Sequence, residues 1–447
     1  MKMKPLASFM AAATWALLSS PAYSENLLQV YQQAKNYDAQ LQAQETSYLA
    51  TLENKPQALA AKKPQVSLNA GANLSQQHAF YDGTLTGGSA NSSALSANYT
   101  LNISKSIYNK ALDARIDKVD SALAQAKLQL ESQRQALIMR VVQPYFDYLL
   151  AKETLQVAST EKSAIKRQLD QVKAFFEAGR SAITDVREAE SRYNLAVARE
   201  VSGRQALDVA RESLRVLTGV SYKDLLGAQQ NIPLAVPAPR SMEGWVELAK
   251  RSNKGLQAVR QGIEVAQKEI EIQRKSERNP VVNIYARHTG SWSDTNGSVL
   301  DPRAIGASVG VEVNVPIYEG GAAPSRIRQA QHEFRQSQQL YDYQERLIEQ
   351  QVRSAYLGIE SAISVVQAQQ KALASAETAA AATKVGFEVG TRTAVDVLTA
   401  LRDVFAARRD YANARYNFLL STLQLRQAAG TLSENDLRTL SASLNKR

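Results

Sequence analysis

Cysteine is absent from the chain, so neither disulfides nor thiolate chemistry hold it together or run it. Histidine is nearly absent: His78, His288 and His332 lie far apart without metal-ligand spacing and read as ordinary surface or strand residues. Only 21 Gly and 12 Pro are spread over 447 residues, many of them clustered, which argues against a many-stranded globule and for long uninterrupted elements. Beyond the first 24 residues no apolar run reaches 18, so no transmembrane helix is expected, and any bilayer the chain crosses is crossed by strands. No clustered nucleophile, base or ligand set emerges, which argues against an enzyme. Positive charge is plentiful, at net +10. Lys and Arg are nevertheless interspersed with Glu and Asp and form no dense run, so a nucleic-acid partner is not expected.

The first 24 residues read as a signal peptide: Lys2 and Lys4, an apolar run over 6–18, and the small-residue pattern Ala22-Tyr23-Ser24. Cleavage after Ser24 is expected, and loss of the two lysines lowers the formal charge to +8.

An internal repeat sets the architecture. Gly179 pairs with Gly390, Asp185 with Asp396, Arg115 with Arg326, Tyr145 with Tyr356 and Gly219 with Gly430, all 211 residues apart. Ile107-Tyr108 and Ile317-Tyr318 lie 210 apart. That is too long for a solenoid unit. Each copy reads as helix, two strands, long helix, turn, helix, giving repeat 1 over 25–218, a linker over 219–240, repeat 2 over 241–430 and a C-terminal segment over 431–447.

In the first copy a helix is expected over 27–61, ended by Pro64. The period then changes to two. Val66, Leu68, Ala70, Ala72 and Leu74 lie on one face, with Ser67, Asn69, Gly71 and Asn73 on the other. The second strand of this hairpin, 65–108, repeats the pattern with Leu95, Ala97, Tyr99, Leu101 and Ile103 against Ser96, Asn98, Thr100, Asn102 and Ser104. The second hairpin, 280–318, has a noisier first strand and a clean second one, with Ile305, Ala307, Val309, Val311 and Val313 alternating with Gly306, Ser308, Gly310 and Glu312. Strands of about a dozen residues are long enough to span a bilayer. A soluble half-buried strand alternates in the same way. The aromatics favour the membrane: Phe80, Tyr81 and Trp292 fall at the loop ends, and Tyr108 and Tyr318 at the opposite ends, as interfacial girdles do. Four strands in lipid leave two edges unpaired, so the chain is expected to oligomerise. Two copies give eight strands and a filled barrel; three give twelve and a lumen.

Long helices follow over 109–178 and 323–389, each about 100 Å at 1.5 Å per residue, with Pro144 expected to kink the first. They return from Thr184 and Ala394 after short breaks at 179–184 and 389–394. Gly179 and Gly390 suit helix C-caps, and Asp185 and Asp396 suit helix starts.

The segment Gly390-Thr391-Arg392-Thr393-Ala394-Val395-Asp396-Val397-Leu398, the later Ala412-Asn413-Ala414-Arg415-Tyr416-Asn417-Phe418, Gln168-Leu169-Asp170-Gln171, and Glu25-Asn26-Leu27-Leu28 at the mature start together resemble the TolC family of outer-membrane export ducts over essentially the whole mature chain. The resemblance implies an α+β membrane protein of the Gram-negative outer membrane. Its homotrimer would build a 12-stranded β-barrel, four strands per chain, continuous with a long periplasmic α-helical barrel. It also implies a passive channel without cofactor, seated in outer-membrane lipid. That channel docks onto a periplasmic adaptor through the tips at Gly179 and Gly390, and onto an inner-membrane ABC exporter or proton-driven RND-type pump. By motif position Arg392 matches a latch arginine with Thr184 and Asp185 as partners. Phe387 stands in place of a gate tyrosine, so one hydroxyl-mediated bond is missing. Asp396 matches one of two constriction aspartates, the second being Thr399, so a weakened acidic ring is expected. The competing reading is a periplasmic coiled-coil scaffold that never enters a membrane.

Overall fold

The computed structural model describes residues 25–81, 88–227, 233–295 and 302–444. The signal peptide and the Asp82-Gly83 loop lie outside them, as do the side chains of Phe80 and Tyr81.

The opening helical stretch is three helices rather than one: α1 (Leu27–Tyr37), α2 (Ala39–Leu52) and α3 (Asn54–Ala60). The first break is at Asp38, whose ψ of 108° leaves the helix. Its carboxylate accepts from Leu41 N–H at 2.6 Å and pairs with Arg140 at 2.7 Å, so this buried acid caps α2 and ties it to the long helix. A helical pattern carries no mark of such a tertiary partner.

Four strands follow in two hairpins: β1 (Gln65–Tyr81) with β2 (Gly88–Tyr108), and β3 (Val281–Thr295) with β4 (Arg303–Asn314). They form one antiparallel sheet in the order β1-β2-β3-β4, so the two repeats meet along β2 and β3. At 17, 21 and 15 residues the first three exceed the dozen expected, and with it the length that a bilayer requires. The register settles the faces. Leu68, Leu101, His288 and Ala307 form one row, and Ala70, Tyr99, Gly290 and Ile305 the next. The apolar residues picked out above in β1, β2 and β4 therefore share one side. On the other lie Ser67, Asn102, Arg287 and Ser308, then Asn69, Thr100, Thr289 and Gly306. The noise in β3 is thereby explained: Arg287 and Tyr285 are on the polar face, while His288 is on the apolar one, its Nδ1 3.2 Å from the Tyr99 hydroxyl. Tyr99 in turn lies over Gly290, where any Cβ would sit 2.2 Å from the ring.

The long helices are α4 (Lys110–Glu177) and α8 (Ala322–Glu388), returning as α5 (Ile183–Thr218) and α9 (Ala394–Ala428). α4 continues through Pro144 as one helix. The second repeat opens with α6 (Met242–Ser252) and α7 (Lys254–Arg278), which run back toward the sheet. The C-terminal segment, for which no element was read from the sequence, forms α10 (Glu434–Leu444). α4 packs on α5 and α9, and α9 on α8, giving a row α5–α4–α9–α8; nearer the sheet α7 takes the place of α9. The α4–α5 seam follows a seven-residue period. Ala189, Ala196, Gly203 and Ala210 of α5 are buried, as are Ala158, Ile165 and Val172 of α4, with Ile165 packed on Ala189 and Ala196 and Leu155 on Gly203, the pattern of a left-handed coiled coil. Of the recurrent larger apolar positions of α5, Leu214 is fully buried in the core, whereas Leu195, Val197 and Leu207 are at best half-buried and leave the seam to the small residues.

The main core lies at the level of Tyr145, where α1, α4, α6, α8, α9 and α10 meet around Leu27, Tyr148, Trp245, Tyr356 and Leu425. The repeat-related tyrosines anchor the linker here: Tyr145 donates to Leu226 O at 2.7 Å and Tyr356 to Arg240 O at 3.3 Å.

Candidate functional site: the paired helix tips and the open sheet

Each tip is built the same way. Gly179 (φ 71°) and Gly390 (φ 83°) take the left-handed conformation that favours glycine. Gly179 N–H donates to Phe176 O and Arg180 N–H to Phe175 O; Gly390 N–H donates to Phe387 O and Thr391 N–H to Gly386 O. These paired bonds close the last carbonyls of α4 and α8. The chain turns at once into α5 and α9. Thr393 accepts from Asp396 N–H at 3.2 Å while the Asp396 carboxylate accepts from Thr393 N–H and its hydroxyl, both at 2.9 Å. In the first repeat Ala182 has no side-chain oxygen to offer. Asp185 alone does the capping, accepting from Ala182 N–H at 3.2 Å and the Ser181 hydroxyl at 2.8 Å.

The two tips of one chain touch. Val172, Val186 and Ala394 form a small apolar cluster with Phe387 against it, and Phe387 stacks on Phe175 with ring centroids 5.6 Å apart. Such a pair contributes roughly 0.5–1.5 kcal/mol beyond its burial. The Arg180 guanidinium covers the Phe175 ring at 5.0 Å. Phe175 and Arg180 were not singled out from sequence. Phe387 itself was read from sequence only as the lack of a hydroxyl, not as one ring of an aromatic pair.

Arg392 and Thr184 are exposed, and within one chain the Asp185 carboxylate is bonded to Ser181 and Ala182 rather than to Arg392. The Arg392 side chain leans on Gly386, where a Cβ would fall 2.8 Å from its Cγ. Thr399 stands one turn above Asp396 on α9 and is half-buried.

The Thr393 backbone N–H and then the Thr393 hydroxyl hold the Asp396 carboxyl below the usual carboxylate range, with Arg392 adding to the effect. A depressed folded-state value means that the cap stabilises fully above the ordinary carboxylate pKa, and that this is lost only as pH falls below it through the folded value. Carboxyl carbon shifts of labelled aspartate across pH 2–6 are expected to give Asp396 a midpoint below those of ordinary aspartates; a midpoint at or above the usual value would remove the capping box as its cause.

At the other end, the apolar sheet face has no cover in the single chain. Val309 is 85% exposed, Ile305 80% and Leu74 75%. From Val282 to Trp292 the apolar rows run ten residues, about 33 Å along the strand and about 25 Å at a tilt of ~40°, the height of a membrane band. Trp292 stands at its outer end and Tyr108 at its inner end; Tyr318 lies just past β4, 86% exposed. Among the described residues no helix is long and apolar enough to cross a membrane.

One end of the chain is thus a sheet with an uncovered, mainly apolar side and a polar side, and the other is a pair of capped tips at the end of a long coiled-coil shaft. Residues 30–220 and 245–431 match the outer membrane efflux protein family. The chain is 33% identical over 443 residues to the outer membrane protein TolC of Vibrio cholerae, covering 99% of each. It is 29% identical to the alkaline protease secretion protein AprF of Pseudomonas aeruginosa, covering 99% of this chain and 92% of that one. Among solved structures, CusC superposes with a TM-score of 0.74 at 18% identity, covering 91% of this chain and 92% of CusC. The chain belongs to the outer membrane efflux protein family, and the TolC resemblance read from its motifs holds. Its place is the outer membrane of a Gram-negative bacterium.

Proposed function

We propose that three copies of this chain form an outer-membrane exit duct for efflux or secretion. Its walls are a 12-stranded barrel and a helical barrel, and its periplasmic tips are closed at rest. The observation that carries the reading is the sheet: one face mainly apolar and uncovered, the other mainly polar, with β1 and β4 each presenting an unpaired edge. The helical row repeats the condition, since its outer members leave Leu195, Val209 and Val216 of α5 and Tyr343 and Leu357 of α8 exposed at multiples of seven residues. Three copies are favoured over two by the polar face. Its Gly, Ser, Asn and Thr side chains are too small to fill an eight-stranded barrel and suit a wet, wider one.

The duct is passive and draws its drive from an inner-membrane ABC exporter or RND-type pump through a periplasmic adaptor seated on the tips at Gly179 and Gly390. Membership of the outer membrane efflux protein family and the likeness to a protease secretion protein support both efflux and secretion as uses. Because the Asp185 carboxylate is engaged by Ser181 and Ala182 within one chain and not by Arg392, the bonds of Arg392 to Thr184 and Asp185 are made across the subunit boundary. Three Asp396 carboxylates ring the constriction, with Thr399 adding none, which favours cations weakly. Opening is an untwisting of the α8–α9 pair away from α4–α5.

The test is fractionation with crosslinking. The expected result is an outer-membrane trimer that needs detergent and that crosslinks from α5 of one copy to α8 of the next. A water-soluble monomer would leave the coiled-coil scaffold instead.

A further inference from the structure

Glu161 of α4 is fully buried, and it is the only fully buried acidic side chain among the described residues. It is gripped from two sides: Arg199 of α5 reaches Oε1 at 2.5 Å, and Arg409 of α9 reaches Oε2 at 3.2 Å. The two arginines differ in what they join. Arg199 and Glu161 belong to the same repeat and the same coiled-coil pair; Arg409 comes from the other repeat and the other pair.

The position matters as much as the burial. Glu161 lies roughly 25 Å along α4 from the tip and about 25 Å below Tyr145 at the main core, at 1.5 Å per residue. Above it α9 is fixed to α4 by the core and by Arg415, one of whose guanidinium nitrogens donates to both oxygens of Glu153 at 2.9 Å. Below it, among the described residues, no ion pair joins α4 or α5 to α8 or α9. The contacts there are apolar and small: Leu398 against Ile165 and Leu169, then Ala394 and Phe387 against Val172 and Val186. A desolvated carboxylate cannot release one arginine without cost, because the charge left behind stays in a dry site. Small apolar contacts have no such penalty and part gradually.

We propose that Glu161 is the positioning residue for channel opening: the Arg199–Glu161–Arg409 clasp is the fulcrum above which the two coiled-coil pairs stay joined and below which they separate. This rests on the duct reading above. Arg409 carries the function and Arg199 does not, since only Arg409 crosses between the pairs. Losing Arg409 frees the α8–α9 pair to part from α4 as far as the Arg415–Glu153 pair, lengthening the moving segment and lowering the resistance to opening.

Planar-bilayer conductance of the wild type is compared with Arg409→Gln, Arg199→Gln and the Arg392→Gln tip variant, with the heat resistance of each trimer measured in parallel. The expected result is an open-to-closed ratio about tenfold higher for Arg409→Gln than for wild type, the factor equal to ~1.4 kcal/mol. Arg199→Gln keeps wild-type conductance while losing heat resistance. Equal conductance changes in the two clasp variants, or none in Arg409→Gln while Arg392→Gln opens, would overturn the fulcrum and leave the duct standing. Absence of trimers and of conductance in the wild type would overturn both. Should Arg409→Gln fail to assemble, Arg409→Lys retains the charge, loses the planar fork and is expected to shift conductance in the same direction by a smaller factor.

Discussion

Arg392→Gln is expected to raise the resting conductance of the reconstituted trimer about a hundredfold. The estimate follows from exposure and symmetry. Arg392 and Thr184 are solvent-exposed, so each charged bond is worth ~1 kcal/mol at most rather than the larger value of a buried pair. Three equivalent bonds sum to about 3 kcal/mol, and each 1.4 kcal/mol is tenfold in the open-to-closed ratio. Asp185→Asn should move in the same direction by less. The amide can still accept from Ala182 N–H and the Ser181 hydroxyl, so it keeps the start of α5 while losing the charge that attracts Arg392. A third variant reaches the latch without touching its charges. Gly386 seats the Arg392 side chain, and its carbonyl accepts from both Thr391 N–H at 2.8 Å and Arg392 N–H at 3.2 Å. Gly386→Ala puts a methyl group where the arginine stem lies and should therefore open the channel part-way. Unchanged, very low conductance in all three would remove the latch, leaving the Phe175–Phe387 stack and the Val172–Val186–Ala394 cluster as what holds the tips.

Features with a period or a special backbone requirement were legible in the sequence. The strand faces followed from alternation, and the pairing register bears out each assigned residue of β1, β2 and β4. Gly179, Gly390, Gly219 and Gly430, matched at one offset, all adopt positive φ. Features fixed by a partner distant in the chain were hidden. Asp38 breaks a helix because Arg140, about a hundred residues on, holds its carboxylate. β3 is irregular in sequence because Tyr99 of the neighbouring repeat needs Gly290 beneath it and offers its hydroxyl to His288. The seam of α5 runs on Ala189, Ala196, Gly203 and Ala210 rather than on its larger apolar residues. A Cβ at Gly203 would lie 3.4 Å from Leu155 Cα, so close backbone approach excludes bulk there. At the tips the aspartates were found by motif, but their first duty, capping their own helices, is a matter of local bonds.

Gly430→Ala is expected to block folding of the repeat junction, while Gly219→Ala at the equivalent site is tolerated. Both positions require the left-handed conformation, with φ of 70° and 72°, so alanine costs each roughly 1–2 kcal/mol in backbone strain. Their surroundings differ. A Cβ at Gly219 meets the ring of Tyr37 at 2.8 Å, and that side chain is 56% exposed and can swing into solvent. A Cβ at Gly430 meets backbone: Asn253 Cα at 2.4 Å, Asn253 N at 2.8 Å and Ser252 O at 2.8 Å. Backbone at this corner cannot yield cheaply. Asn253 caps α7 by accepting from Leu256 N–H at 3.0 Å and donates to Ala428 O at 2.9 Å, while Gln135 of α4 donates to Gly430 O at 3.0 Å. Moving the corner breaks the cap, the bond to α9 and the bond to α4 together, a loss of several kcal/mol on the usual scale of ~1 kcal/mol per bond. Heat-resistant trimer in the outer membrane is the readout: near wild-type yield for Gly219→Ala, little or none for Gly430→Ala. Equal yields would mean that α6 and α7 can shift as a unit away from the end of α9, and that the end of α9 is not what fixes the second repeat against the core.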